Sequence, residues 1–128
     1  MPTDAKPVKP DLFETPTAIR EVYQGVLVVS PKGPSLSESD ASALLAEVVA
    51  QVPSARGRLL LDMTKVEYMT SSGISMLVQL REACVCEGGT LALCGLAAPI
   101  ADVLKTTRVD RLFTVTRDRA KALRKLAA

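Results

Sequence analysis

The most constraining feature of this 128-residue sequence is an uninterrupted run of three leucines at 59–61, between Arg58 and Asp62. Successive side chains of a strand point to opposite faces of a sheet, so a strand covered on one side shows alternating polarity. A run without alternation is typical of a parallel strand that helices cover on both faces. The leucines therefore predict an α/β protein with a buried strand at 58–63.

Helical periodicity on both sides of the leucine run supports this prediction. Before the run, apolar residues at 41–52 recur at the spacing of one helix face, Ser37 and Asp40 resemble a capping box, and Pro53 is expected to end the helix. After the run, a second helix is predicted to extend to about residue 86. Its inward stripe is predicted to comprise Gly73, Met76, Leu77, Leu80 and Cys84, with Ser75, Gln79 and Glu82 on a polar side.

The other elements complete an alternating order. In chain order we predict strands at 19–23 and 26–29 around a Gln24-Gly25 turn, a loop at 30–35, a strand at 90–94, a third helix with Pro99 in its first turn, a strand at 113–115, and a final helix capped by Thr116 or Asp118. The order β-β-α-β-α-β-α-β-α predicts a single α/β domain at 18–128, with a mixed β-sheet that opens with a β-hairpin. A Pro-rich N-terminal arm is predicted at 1–17.

Two helix faces receive specific predictions. The third helix is expected to pack Ile100, Val103 and Leu104 against the core. In the final helix Leu123 and Leu126 are expected to pack. Its basic residues, Arg117, Arg119, Lys121, Arg124 and Lys125, are expected to form a solvated face.

Composition excludes several classes of function. The chain has 16 Lys and Arg against 14 Asp and Glu, a net charge of +2, which argues against nucleic-acid binding. It contains no His and three Cys, so His-dependent catalysis and zinc binding are not expected, and no catalytic residue, metal or cofactor is predicted. The start lacks the apolar core of a signal peptide and no run is long enough to span a membrane, so we expect a soluble cytoplasmic protein without membrane contact.

The most informative segment is the loop at 69–73, where Thr70, Ser71 and Ser72 stand at the start of the second helix. Hydroxyls at this position are ordinary helix caps. A phosphate-cradling loop would need a Gly-rich spacing and a Lys that are missing, and a serine nucleophile would need a His. A regulatory phosphoacceptor is the third alternative, because a helix start tolerates a dianion while an apolar docking face beside it does not. Contacts in such a face would come from Met69, Ile74 and Val78.

Three stretches resemble one family. The segment 59–74, which contains the leucine run and the hydroxyl loop, is similar to the signature of STAS domains, specifically bacterial anti-sigma factor antagonists. The segments 88–96 and 103–113 resemble the next strand and the third helix of the same family. The likeness covers 18–128 and is most specific in its middle.

The resemblance implies a partner-switching protein. In this family the unphosphorylated form binds an anti-sigma factor that is also an ATP-dependent serine kinase, phosphorylation ends the binding, and a serine/threonine phosphatase reverses it. The phosphoacceptor carries over to Ser71, with Ser72 and Thr70 as alternatives. The implied partner-binding residues are Met69, Thr70, Ser71, Ser72, Gly73, Ile74 and Val78. This sequence departs from the family in having Thr70 where an Asp is usual, and Ser35-Leu36-Ser37 where a second acidic residue is common.

Two other interpretations remain open. A constitutive STAS scaffold subunit of a signalling or transport complex would use the same fold with purely structural hydroxyls. A small enzyme or nucleotide binder would use Ser71 and Asp62. Asp62 is otherwise expected to end its strand and bond nearby backbone or the hydroxyl loop.

Overall fold

The computed structural model describes residues 13–15 and 17–127. The strands are β1 (Phe13–Glu14), β2 (Ala18–Tyr23), β3 (Val26–Pro31), β4 (Ser35–Leu36), β5 (Arg58–Asp62), β6 (Tyr68–Met69), β7 (Thr90–Cys94) and β8 (Thr114–Thr116). The helices are α1 (Glu38–Val49), α2 (Ser71–Cys86), α3 (Ala98–Thr106) and α4 (Arg119–Ala127), with 3-10 turns at Pro53–Ala55 and Val109–Leu112. The predicted α/β order is confirmed.

A six-stranded mixed sheet in the order β1-β2-β3-β5-β7-β8 forms the centre of the molecule. β2 and β3 are the predicted antiparallel hairpin, and Gln24 and Gly25 turn it with φ of 53° and 80°. From β3 onward every neighbouring pair is parallel, with Leu60 in register with Val28 on one side and Ala92 on the other. The leucine run therefore lies in the middle of a parallel sheet.

The core has two parts, one on each face of this sheet. Leu59 and Leu61 belong to the larger cluster with apolar residues of α1, α2 and α3. Leu60 belongs to the smaller cluster with Ala122 and Leu126 of α4. All three leucines are 0% exposed, because helices cover both faces. The prediction of a strand covered on both faces, made from the absence of alternating polarity, is confirmed.

The first two helices agree with their predictions in most respects. Ser37 and Asp40 form the predicted capping box at the start of α1. The predicted inward stripe of α2 is fully buried. α1 ends at Val49, before the predicted stop at Pro53, and Val49 is 39% exposed. The last turn of the predicted α1 stripe is therefore only partly in the core.

The third helix has Pro99 in its first turn, as predicted, but its apolar face is narrower than expected. Ile100 and Leu104 are buried, whereas Val103 is 45% exposed. The prediction for Val103 is wrong, because α3 contacts the rest of the molecule along a single edge of that face.

Strand pairing adds short elements that local sequence did not indicate. The predicted loop at 30–35 is wrong at both ends: 30–31 continue β3, and Ser35 begins β4, which pairs in parallel with β6. Within the predicted arm, β1 pairs antiparallel with β2; residues 1–12 and 16 of that arm lie outside the described part of the chain. Strands of two residues carry no periodicity, so only their neighbours in space identify them.

Candidate functional site

The hydroxyl loop lies where β6 ends and α2 begins. Leu36 of β4 is in register with Met69 of β6, so the chain entering α1 lies beside the chain entering α2. Thr70 is the N-cap residue of α2, with extended backbone, and Ser71 is the first residue of the helix. The short two-stranded sheet thus fixes the position of both helix starts.

The three hydroxyls of this loop have different environments. The hydroxyl of Thr70 donates to the carbonyl of Leu36 at 3.2 Å, and the backbone N–H of Thr70 donates to the same oxygen at 3.2 Å. Ser72 is half-buried and lines a depression of about 180 Å³ between α1 and α2. Ser71 is exposed, and its hydroxyl has no hydrogen-bond partner within the described residues. Of the two serines, Ser71 is therefore the one whose hydroxyl is exposed to solvent.

The N-terminus of α2 is open at this point. No side chain caps it, since the hydroxyl of Thr70 bonds to Leu36 instead. The N–H groups of Gly73 and Ile74 donate to the carbonyl of Thr70 at 2.9 and 3.3 Å. The N–H groups that precede them, at Ser71 and Ser72, have no carbonyl one turn back in the helix. The partial positive charge of the helix dipole therefore lies next to the Ser71 hydroxyl.

An apolar surface flanks Ser71 on the side of α3. A depression of about 140 Å³ is lined by Glu67, Tyr68, Met69, Ile74, Pro99, Ile100 and Val103. Tyr68 and Val103 are 64% and 45% exposed. The predicted contact residues Met69 and Ile74 lie here, whereas Val78, half-buried one turn further along α2, does not line the depression.

Sequence reasoning missed Tyr68 and Val103 as surface residues. An aromatic side chain beside the hydroxyl loop of a chain with only two Tyr and two Phe was the available signal for Tyr68. For Val103 the sequence offered no such signal, because its spacing is that of a core residue.

Gly73 allows close packing at the start of α2. A Cβ at this position would lie 2.2 Å from Cγ of Met69, so glycine allows Met69 to pack against the start of the helix.

Asp62 belongs to a separate polar cluster at the end of β5. Its Oδ1 accepts from the backbone N–H of Thr64 at 3.1 Å and from the Thr64 hydroxyl. Its Oδ2 accepts from Nε and Nη2 of Arg119 at 3.0 and 2.9 Å. Arg119 also bonds Glu21 at 2.5 Å and Ser30 at 2.9 Å. Asp62 therefore bonds nearby backbone, as expected, and no hydroxyl of the loop within the described residues.

This cluster corrects one prediction and shifts one pKa. Arg119 is not part of a solvated basic face, because it pairs with the carboxylates of Glu21 on β2 and Asp62 on β5. Burial alone would raise the pKa of Asp62, but the hydrogen bonds from Thr64 and Arg119 outweigh it and hold that pKa below its ordinary value. The carboxylate of Asp62 is therefore held ionised by its partners, which suits a structural ion pair better than a general base.

The cysteines are free thiols. Cys84 and Cys94 are buried, and burial raises the pKa of each to about 12, which makes them unreactive. Cys86 is exposed. Among the residues that the structure describes, no group of Cys, Asp and Glu is placed to hold a metal ion, and no helix is long and apolar enough to cross a membrane.

Comparison with known proteins identifies the family. The family model of the STAS domain matches residues 17–122. The chain belongs to the STAS family. It is 26% identical over 98 residues to BtrV of Bordetella bronchiseptica, which carries the name of an anti-sigma factor antagonist; the match covers 77% of this chain and 84% of BtrV.

Solved STAS structures share the fold. An anti-sigma-factor antagonist domain protein from Planctomyces limnophilus is similar with a TM-score of 0.77 and 23% identity, over 87% of this chain and 98% of that one. The anti-sigma factor antagonist SpoIIAA in its unphosphorylated form is similar with a TM-score of 0.68 and 13% identity, over 84% and 94% of the two chains. At these identities the likeness concerns the fold alone.

Proposed function

We propose that this STAS protein is an anti-sigma factor antagonist that works by partner switching. In its unphosphorylated form it binds an anti-sigma factor with ATP-dependent serine kinase activity, and phosphorylation of Ser71 releases that partner. A serine/threonine phosphatase restores the binding form. The protein acts as a binding module in the cytoplasm rather than as an enzyme. The similarity to BtrV, which carries the name of an anti-sigma factor antagonist, supports this class of function.

The observation that carries the proposal is the contrast among the three hydroxyls. Thr70 is bonded to Leu36, and Ser72 lies in the depression between two helices. Ser71 is exposed and unbonded within the described residues, so a kinase can reach it without local unfolding. This favours Ser71 over the two alternative acceptors.

The physical basis of the switch is the position of Ser71 between a helix dipole and an apolar surface. A phosphoserine carries a charge of about −1.5 to −2 at neutral pH. The uncapped start of α2 accommodates that charge, so the fold persists. A partner that covers Tyr68 and Val103 would have to bury the same charge without a counterion, which weakens binding.

The test combines phosphorylation with binding. We expect the kinase and ATP to add one phosphoryl group to the wild-type chain, detected by intact mass spectrometry, and none to Ser71→Ala. We expect Ser71→Asp to weaken kinase binding at least tenfold, or by roughly 1.4 kcal/mol, in a calorimetric titration. Ser54, an exposed serine in the 3-10 turn at 53–55, provides matched controls: Ser54→Ala should be phosphorylated normally and Ser54→Asp should bind normally.

The same experiment separates the alternative functions. A constitutive scaffold predicts that wild type, Ser71→Ala and Ser71→Asp bind alike, and that result would overturn the switch. Phosphorylation of Ser71→Ala at another hydroxyl would move the acceptor to Ser72 or Thr70. Turnover of any substrate that is lost in Ser71→Ala would favour an enzyme.

A further inference from the structure

A second surface, on the opposite flank of α2 from Tyr68, is not used by the proposed switch. A shallow, open groove of about 620 Å³ runs between α1, from Ser42 onward, and the second half of α2. It is lined by Ser42, Leu45, Ala46, Val49, Ala50, Gln79, Glu82, Ala83 and Cys86. Short side chains dominate this lining, and Val49 is 39% exposed within it. A groove of this shape can receive a row of apolar side chains from a partner.

Acidic side chains and two helix C-termini lie at one end of the groove. α1 and α2 run in the same direction, since Glu38 lies beside Ser72 at one end and Ala50 beside Cys86 at the other. Their two C-termini therefore meet at the far end of the groove, each with the partial negative charge of a helix dipole. Neither helix has a basic residue in its last turn, and the C-cap of α2 is Glu87.

The acidic side chains at this end are not neutralised within the described part of the chain. Glu82 lines the groove, Glu87 follows α2, and neither makes an ion pair with a described residue. No Lys or Arg lines the groove. An occupant with an apolar row and a cationic end would fill the apolar lining and neutralise this end.

We propose that the groove between α1 and α2 is a docking site for a cationic amphipathic helix of a partner protein. The α1 side of the groove extends from Ser42 to Ala50, which at 1.5 Å per residue corresponds to roughly two turns of a bound helix. The proposal does not depend on the Ser71 switch.

Two other occupants fit the groove less well. A symmetric second copy would present this same surface, and that surface supplies no cation for Glu82 because no Lys or Arg lines the groove. The α4 helix of a second copy is basic, but Ala122 and Leu126 are buried against its own sheet and leave little apolar surface to offer. Residues 1–12 carry two Lys and two Asp, so they have no net charge to match the groove.

The acidic end of the groove is also distant from Ser71. Glu82 follows Ser71 by 11 positions in the same helix, which corresponds to roughly 16 Å along the axis. This exceeds the Debye length of about 8 Å at physiological ionic strength, so a phosphate on Ser71 is largely screened there. We therefore expect groove binding to persist in both states of the switch.

The test uses a pair of designed helical peptides with the same Leu and Ala face, one flanked by Lys and the other by Glu. The full chain is titrated with each peptide, and backbone NMR shifts locate the site. We expect the Lys peptide to shift residues of the groove and to bind at least tenfold more tightly than the Glu peptide. Val49→Glu should weaken the Lys peptide at least tenfold and Glu82→Lys several-fold.

Two variants serve as matched controls. Val85 is 48% exposed on the other flank of α2, so Val85→Glu should leave the affinity within twofold. Ser71→Asp should also leave it within twofold. Equal binding of both peptides, shifts outside the groove, or an unaffected Val49→Glu would overturn the proposal. A tenfold loss in Ser71→Asp would overturn its independence of the switch, and a concentration-dependent dimer that Val49→Glu abolishes would make a second copy the occupant.

Discussion

At the residue scale, neighbouring hydroxyl groups of similar chemistry differ in their roles, because different atoms lie within hydrogen-bonding distance of each. The hydroxyl of Thr70 bonds the carbonyl of Leu36, 34 positions earlier in the chain, and so joins the start of α2 to β4. The hydroxyl of Ser71, one position later, points to solvent. A structural role for Thr70 and a regulatory role for Ser71 can therefore be tested separately.

Thr70→Val removes the hydroxyl while keeping the shape of the side chain. We expect it to lower the free energy of unfolding by about 0.5–1.5 kcal/mol, because one hydrogen bond to a partly buried carbonyl is lost. Ser71→Ala should change stability by less than about 0.5 kcal/mol, as is usual for an exposed site. Urea unfolding curves measure both values. A larger loss in Ser71→Ala than in Thr70→Val would contradict the assignment of roles.

At the element scale, α4 is held on its sheet face by apolar contacts and by one arginine. Ala122 and Leu126 provide the buried contacts. Arg119, in the first turn, donates to Asp62 of β5 and to Glu21 of β2. The helix is capped by Asp118, whose carboxylate accepts from the N–H of Lys121 at 2.7 Å. With its bond to Ser30 of β3, Arg119 therefore connects α4 to three strands inside the sheet.

Arg119→Ala should cost about 1–3 kcal/mol of unfolding free energy. The loss leaves two partly buried carboxylates without their counterion, and the partial exposure of the cluster reduces the penalty expected for a fully buried pair. Arg124→Ala, on the exposed side of the same helix, should cost less than about 0.5 kcal/mol. Chemical denaturation measures the unfolding free energy of both variants. Equal losses in Arg119→Ala and Arg124→Ala would mean that the Arg119 cluster makes no specific contribution to stability.

At the scale of the whole molecule, the ionised state of Asp62 links stability to pH. Because its folded pKa is below the ordinary value of 3.8, the unfolded chain binds a proton more readily than the folded chain. The contribution of Asp62 to stability is therefore fully present above about pH 4 to 5 and is lost as the pH falls through the folded pKa.

We expect the free energy of unfolding to fall at acidic pH, and part of this fall (the acid limb) to depend on Asp62. Wild type should lose unfolding free energy from about pH 4 downward, and Asp62→Asn should show a shallower decline over the same range. Asp102→Asn, at an exposed position of α3, should keep the wild-type slope. Urea unfolding at a series of pH values provides the slopes. An acid limb that is unchanged in Asp62→Asn would show that other carboxylates produce it.

Local sequence predicted the features that depend on a single element. The leucine run, the capping box at Ser37 and the inward stripe of α2 all follow from periodicity or from contacts within one turn, and each is confirmed. The family was also recognisable, because its signature at 59–74 is continuous in the chain. The assignment of Ser71 as phosphoacceptor stays a prediction that rests on the same segment.

The sequence by itself determined the α/β order, the buried central strand and the position of the hydroxyl loop, since each is set by residues close together in the chain. Only the tertiary structure decided that the carbonyl of Leu36 accepts from the Thr70 hydroxyl, that Arg119 pairs with Asp62, and that Val103 faces solvent. Hydrogen bonds and burial between segments far apart in sequence depend on how the helices pack on the sheet, and periodicity within one segment carries no information about which neighbour it meets.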